Sequence, residues 1–224
     1  MRIILLETGR IGFVNLWKQH LGAVPDSVWN QTDVEILILA DNDLADVSPR
    51  IGALTKLRTL DLGHNRIAAV PDALGALENL TDFLYLHDNR FTSLPAALAG
   101  LTKLRYLNAS ENPFEGFPEC ILQMTGLVEL RMCTNGLKCL PSQISNLKHL
   151  RELHLRDNQM ATLPDSIGAL RDLRHLDLRG NPLENLPASL ANLPRLEKLD
   201  LRWTPLRPSS WLADFESRGC LVYL

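Results

Sequence analysis

The sequence predicts an α/β solenoid, a curved horseshoe with a parallel β-sheet on the concave face and short helical or 3-10 returns on the convex face. Three observations carry this. Asparagine recurs at Asn42, Asn65, Asn89, Asn112, Asn135, Asn158 and Asn181, with every gap 23 residues except one of 24. A period of that length marks a stacked repeat array. Seven apolar positions recur within each period, as in LRTLDLGHNRIAAVPDALGALEN from Leu57 to Asn79. Proline punctuates most periods shortly after the asparagine, where a strand has to give way to a return.

Each part of the unit follows from side-chain geometry. Side chains alternate along a strand, so Leu60 and Leu62 face inward while Thr59 and Asp61 face outward. Ile67 and Val70 turn back to the core, Pro71 opens the return, and Leu74 and Leu77, three apart, face the core from a helical turn. One unit cannot bury its own apolar side chains, so units stack and share one continuous core. The asparagine stands where the chain leaves the strand. Its amide carries both donor and acceptor for backbone groups that lose their ladder partners there.

Units begin at Ile11, Val34, Leu57, Leu80, Leu104, Leu127, Leu150 and Leu173, with a partial ninth from Leu196. This divides the chain into an N-terminal cap with a degenerate first repeat over 1–33, seven repeats over 34–195, and a partial repeat with a C-terminal cap over 196–224. The first unit carries Gln19 at the asparagine position and the ninth carries Thr204. In the second unit Ser48-Pro49 puts proline one residue late, which predicts a late return. The fourth unit holds one extra residue, placed near Thr81 and Asp82 ahead of the strand. Beyond Pro205 and Pro208, the apolar residues Trp211, Leu212, Phe215 and Leu221 to Leu224 are expected to cover the open end of the core.

Composition narrows the function classes. A net charge of −3 gives no overall attraction to nucleic acid or membrane. No apolar stretch is long enough for a transmembrane helix, and Ile3 to Leu6, ended by Glu7, is too short for a secretory core of roughly seven residues. Cys120, Cys133, Cys139 and Cys220 do not cluster as disulfide caps would, which favours a reduced, cytoplasmic protein. There is no phosphate-binding glycine loop, no H-E-x-x-H and no C-x-x-C. These absences point away from an enzyme and call for no cofactor.

The unit ending L-P-x-x-I-x-x-L, intact from Leu140-Pro141 to Leu147 and from Leu163-Pro164 to Leu170, resembles the intracellular 23-residue class of leucine-rich repeats. That class includes animal Ras-binding leucine-rich scaffolds, plant Ras-group-related proteins and free-standing bacterial proteins. The resemblance covers about Ile11 to Leu206, and the tail from Trp203 to Leu224 resembles the cap of bacterial members. It implies a monomeric, non-catalytic scaffold that binds a protein partner on its concave face, such as a small GTPase or another signalling protein. For bacterial members it implies, as an alternative, a secreted effector or adaptor acting on host signalling proteins.

Function is expected in the outward columns of the sheet, where neighbouring strands stand about 4.8 Å apart. The third-position column runs Phe13, Ile36, Thr59, Phe83, Tyr106, Glu129, Glu152, His175, Lys198. The fifth runs Asn15, Ile38, Asp61, Tyr85, Asn108, Arg131, His154, Asp177, Asp200, and the seventh runs from Trp17 through His87, Ser110, Cys133 and Arg156 to Arg179 and Arg202. The first half is aromatic and aliphatic, the second a lattice of charge. Trp17, Ile36, Ile38, Phe83, Tyr85 and Tyr106 form the predicted partner-binding patch, because exposed apolar patches rich in aromatics mark interaction sites. Residues 1–10 could instead cover Phe13, Trp17, Ile36 and Ile38, whereas Tyr85 and Tyr106 are expected to stay exposed. Arg131, Arg156, Arg179 and Arg202 extend the predicted site toward an acidic or phosphorylated group, with Asp177 and Asp200 as neighbouring counter-charges. Two chemical readings remain beside this one. Arg131 and Arg156 could lower the thiol pKa of Cys133. Glu152, His154, His175 and Asp177 could serve a metal-dependent hydrolase, but diagonal neighbours roughly 7 Å apart suit a charge network better than a coordination shell, so no metal is predicted.

Overall fold

The computed structural model describes residues 12–207 and 210–224, and the expectations for residues 1–10, Ile11, Pro208 and the Trp211 side chain lie outside them. Among the described residues ten parallel strands stand side by side in chain order. They are β1 (Phe13–Asn15), β2 (Ile36–Ile38), β3 (Thr59–Asp61), β4 (Phe83–Tyr85), β5 (Tyr106–Asn108), β6 (Glu129–Arg131), β7 (Glu152–His154), β8 (His175–Asp177), β9 (Lys198–Asp200) and β10 (Leu221–Tyr223). Each is three residues long with its central leucine or valine inward. The register pairs Phe83 with Tyr106, Tyr106 with Glu129 and Glu129 with Glu152, so the third- and fifth-position columns form as the period predicts.

Opposite the sheet, five-residue 3-10 returns close units two to eight, from Pro49–Ala53 to Ala188–Asn192. In six of them a proline at φ between −65° and −70° immediately precedes the return, and its fixed dihedral delivers the chain into the turn. The second unit corrects the expectation of a late return. Its 3-10 segment begins at Pro49, the same seven residues after the unit's asparagine as Asp72 follows Asn65. Proline has simply moved into the first turn, where its missing N–H costs nothing, and the Ser48 hydroxyl accepts from Arg50 N in its place. The extra residue of the fourth unit does fall at Thr81 and Asp82. Elsewhere two consecutive N–H groups share one carbonyl, as Arg58 and Thr59 share Glu35, but Arg105 and Tyr106 donate separately to Thr81 and Asp82. The slack is absorbed before the strand, and β4 keeps its register with β3.

The core is one run of leucines from Leu16 to Leu201, with Leu57, Leu60, Leu62, Ile67 and Leu74 fully buried. Beside it runs the asparagine ladder. Asn112 Nδ2 donates to its own unit's Ala109 and Ser110 carbonyls and to Leu86 of the preceding unit, while its Oδ1 accepts from Phe91 N. Each amide thus stitches two units. Asn135 makes the same inter-unit bonds, donating to Ala109 O at 3.1 Å and accepting from Asn112 N at 2.9 Å, in a site 3% exposed. Asn135→Ala leaves Asn112 N unpaired and removes one of the two donors to Ala109 O, and should cost about 1 to 3 kcal/mol. An unchanged urea midpoint would contradict that role.

The residue before each ladder position adopts a left-handed backbone, from His64 at φ 53° to Thr134 at 55° and Asp157 at 56°. This bend lifts the chain out of the strand and aims the asparagine inward. At one of these positions the residue is Gly180, φ 66°, where a Cβ would stand 2.3 Å from Asp157 Oδ1. Glycine adopts this dihedral without strain, though other units hold larger residues in it, and a Cβ there would displace the tip of the Asp157 side chain.

At the far end the repeat gives way to an α-helix, α1 (Ser210–Ser217), followed by β10. Leu212, Phe215 and Cys220 are buried and belong to the same core. The last four residues depart from expectation. Rather than covering the open end, they continue the sheet: Leu221 pairs with Lys198 and Tyr223 with Asp200, and Leu221 and Leu224 are exposed. The cause is spacing, since Leu221 and Tyr223 stand 23 residues after their partners.

Candidate functional site

Three rings dominate the middle of the concave face. Phe83 stacks against Tyr85 with centroids 6.1 Å apart, and Tyr106 lies 5.4 Å from Phe83 and 5.1 Å from Tyr85. The parallel register brings them together, because Phe83 and Tyr106 are direct partners in one column and Tyr85 is in the next. Tyr85 and Tyr106 are not freely exposed as predicted. They are half-buried, each shielded by the others, and Phe83 is the most open of the three. Burial pushes the Tyr106 hydroxyl up to about 12 and raises that of Tyr85, so both remain donors at any physiological pH. A depression of about 230 Å³ opens beside Phe83 and Tyr106, lined by Val128 and the stems of Arg105 and Glu129.

The other predicted apolar residues do not join this cluster equally. Phe13, Ile36 and Ile38 are half-buried on β1 and β2, while Trp17 is exposed with Lys18 over its ring at 5.9 Å. Between Trp17 and the rings lies a histidine pair, His64 and His87, with ring nitrogens 3.3 Å apart. His87 lies over Gly63, where any Cβ would meet the imidazole at 2.3 Å. His64 Nδ1 contacts Asp88 Oδ2 at 2.6 Å.

Beyond Tyr106 the face turns to charge, and a cavity of about 330 Å³ opens over β6 to β9 with Arg131, Cys133, His154, Arg156, Arg179 and Lys198 among its walls. The four predicted arginines differ in how free they are. Arg179 forms a two-pronged bond to Asp177 at 2.9 and 2.6 Å, and Arg202 does the same to Asp200 at 2.9 and 2.8 Å. Arg131 bonds Glu129 at 2.5 Å. Among the described residues Arg156 has only Asp157, at 3.9 Å, and is exposed, which leaves it the most available cation of the column. Burial works to raise the Asp177 carboxyl, but hydrogen bonds from His154 and Arg179 outweigh it and hold the group well below the usual carboxylate range.

Cys133 is corrected. Burial raises its thiol pKa more than Ser110, its backbone surroundings and Arg156 lower it, so it is a poorer nucleophile than an exposed cysteine. The tips of the side-chain cluster meet although its diagonal Cβ atoms were expected roughly 7 Å apart. His154 Nε2 stands 3.2 Å from Glu152 Oε2 and 3.8 Å from Glu129 Oε1, and His175 Nδ1 stands 3.6 Å from Glu152 Oε2. The expected 7 Å separation applies to Cβ atoms, whereas glutamate tips reach across it. Glu129 was legible in the third column, but nothing in the sequence tied it to His154. Tyr223 was also missed, and Arg202 sits over its ring at 5.3 Å and over the exposed Trp203 at 5.6 Å. The signal for Tyr223 was the 23-residue step from Asp200.

Comparison with known proteins agrees with this architecture. The family described as "Leucine-rich repeat region" matches residues 128–217, and that described as "Leucine rich repeat" matches residues 55–114. The chain is 35% identical over 100 residues to the plant intracellular Ras-group-related LRR protein 8 of Oryza sativa subsp. japonica, 43% of this chain and 26% of that protein. It is 34% identical over 95 residues to the volume-regulated anion channel subunit LRRC8A of Homo sapiens, 42% of this chain and 12% of that protein. It therefore spans a small part of the curated relatives it matches. Among solved structures, the Leptospira interrogans LRR protein LIC12759 superposes with a TM-score of 0.78 at 24% identity, covering 98% of this chain and 67% of the other. Among the described residues no helix is long and apolar enough to cross a membrane.

Proposed function

We propose that this chain, which belongs to the leucine-rich repeat family, is a monomeric, non-catalytic scaffold that holds a protein partner on its concave sheet. The observation that carries the reading is the ring cluster of Phe83, Tyr85 and Tyr106, set on a rigid sheet and packed ring on ring without being needed in the leucine core. Large side chains held in place lose little entropy on binding, which is why aromatics dominate interface centres. The depression beside Phe83 and Tyr106 accepts one apolar anchor from the partner, and Arg156 receives an acidic group. Trp17, Ile36 and Ile38 extend the contact toward the N-terminal side. Arg131, Arg179 and Arg202 contribute field and shape more than free charge, since each is already bonded to a carboxylate. The rice relative's designation as Ras-group-related puts small GTPases and other signalling proteins first among partners to test, in a cytoplasmic setting.

Arg156 supplies the test of polarity. Binding of a captured partner should weaken as salt rises, and Arg156→Glu should reduce affinity about tenfold or more while thermal unfolding is unchanged. A partner that ignores both changes docks elsewhere, and the concave reading fails.

A further inference from the structure

We propose that Glu129, Glu152 and His154 form a binding site for a divalent transition-metal ion of the zinc class, with His175 in reach as a further donor. Ligand atoms of the first three lie within 4.8 Å of one another. His154 Nε2 is 3.2 Å from Glu152 Oε2 and 3.8 Å from Glu129 Oε1. A tetrahedral ion with bonds of about 2.0–2.1 Å sets its donors roughly 3.3 Å apart, so small side-chain rotations close the shell. The strands supply the rest of the geometry: Glu129 and Glu152 are direct partners on β6 and β7, and His154 is two residues beyond Glu152 on the same face.

The two carboxylates also face each other across neighbouring strands. Like charges directly opposite on neighbouring strands repel. Arg131 answers Glu129, but among the described residues the ion-pair partners of Glu152 are His154 and His175, which bring a full charge only when protonated. A divalent ion would satisfy both carboxylates and the imidazole lone pair together. The supporting residues are also placed for it. Asp177 Oδ2 stands 3.9 Å from His154 Nδ1, on the opposite side of the ring from Glu152, so a small rotation would let it accept from Nδ1 while Nε2 coordinates. Asp177 is itself held by both prongs of Arg179. Such carboxylate–histidine support is how proteins orient a ligating imidazole.

Donor chemistry selects the ion class. One or two imidazoles with carboxylates favour zinc and its neighbours over calcium or magnesium, which prefer all-oxygen shells. His154 and His175 line the 330 Å³ cavity, so the remaining coordination positions open onto the concave face. Water or a donor from another molecule would fill them. The site needs no protein partner, and its test stands or falls independently of the scaffold reading.

The experiment titrates Zn²⁺ alone into the tag-free chain by calorimetry, with Co²⁺ absorption in the visible as a report of coordination geometry. One ion per chain is expected, with affinity reduced at least tenfold in His154→Gln and in Glu152→Gln, each first shown to be folded by circular dichroism. His64→Gln, at the separate histidine pair, should bind as wild type does. Zn²⁺ should also raise the unfolding temperature of wild type and not of His154→Gln. Absence of saturable binding, binding that survives both ligand changes, or loss on His64→Gln instead would overturn the proposal.

Discussion

Truncation after Leu206 should leave a chain that aggregates or unfolds far below the temperature of the full protein. The cut removes α1 and β10, and with them Leu212 and Phe215, which are 7% and 1% exposed. Burying two such side chains contributes about 3 to 6 kcal/mol, a large share of the roughly 5 to 15 kcal/mol that holds an ordinary domain folded. The bonds lost with them include Leu201 N to Tyr223 O at 2.8 Å and Arg218 to the Ala191 carbonyl at 3.3 Å, which tie the segment to the last units. In a solenoid the terminal interface has no neighbour beyond it, so an uncovered leucine face meets water or another molecule. We therefore propose that the segment acts as a cap, chiefly through α1. Size-exclusion chromatography and a thermal melt check this, and a monomeric truncation with an unchanged melt would contradict it.

Reading the fold required only the period. Nine strands in sequential order, their register and the inward leucines follow from asparagines 23 residues apart and side chains alternating with period two, while the tenth, Leu221–Tyr223, lies beyond the last ladder asparagine and is not read from it. What the period does not encode is how side-chain tips meet across it. The sequence put Tyr85 and Tyr106 in neighbouring columns, but their half-burial depends on ring orientation, which no spacing rule contains. In the same way, columns of charge gave Asp177 and Asp200 as counter-charges of the arginines, but not that they are taken by Arg179 and Arg202 and leave Arg156 the freer. Ser48-Pro49 misled for a local reason: a return can begin before or at its proline, because the first turn needs no N–H at that position. The left-handed residue ahead of each asparagine was equally hidden, since His64, Asp88, Glu111, Thr134 and Asp157 share no side-chain signature.

The central claim is that the concave rings bind a partner and do not hold the fold. Its most direct test is the double change Tyr85→Ala and Tyr106→Ala. Because Leu84 and Leu107 are fully buried on the opposite face of the strands from the rings, the melt should fall only slightly. Binding should fall far more. Truncating aromatic anchors at an interface centre typically costs about 2 kcal/mol or more, roughly a thirtyfold loss of affinity. Phe83 should then be left alone in the cluster, without the tyrosine hydroxyls at its rim. The measurement is the dissociation constant of the partner captured by wild type, taken for both proteins alongside their unfolding temperatures. The account predicts near-equal melting and at least a thirtyfold weaker complex; equal affinity, or a collapse in melting that explains the loss, would contradict it.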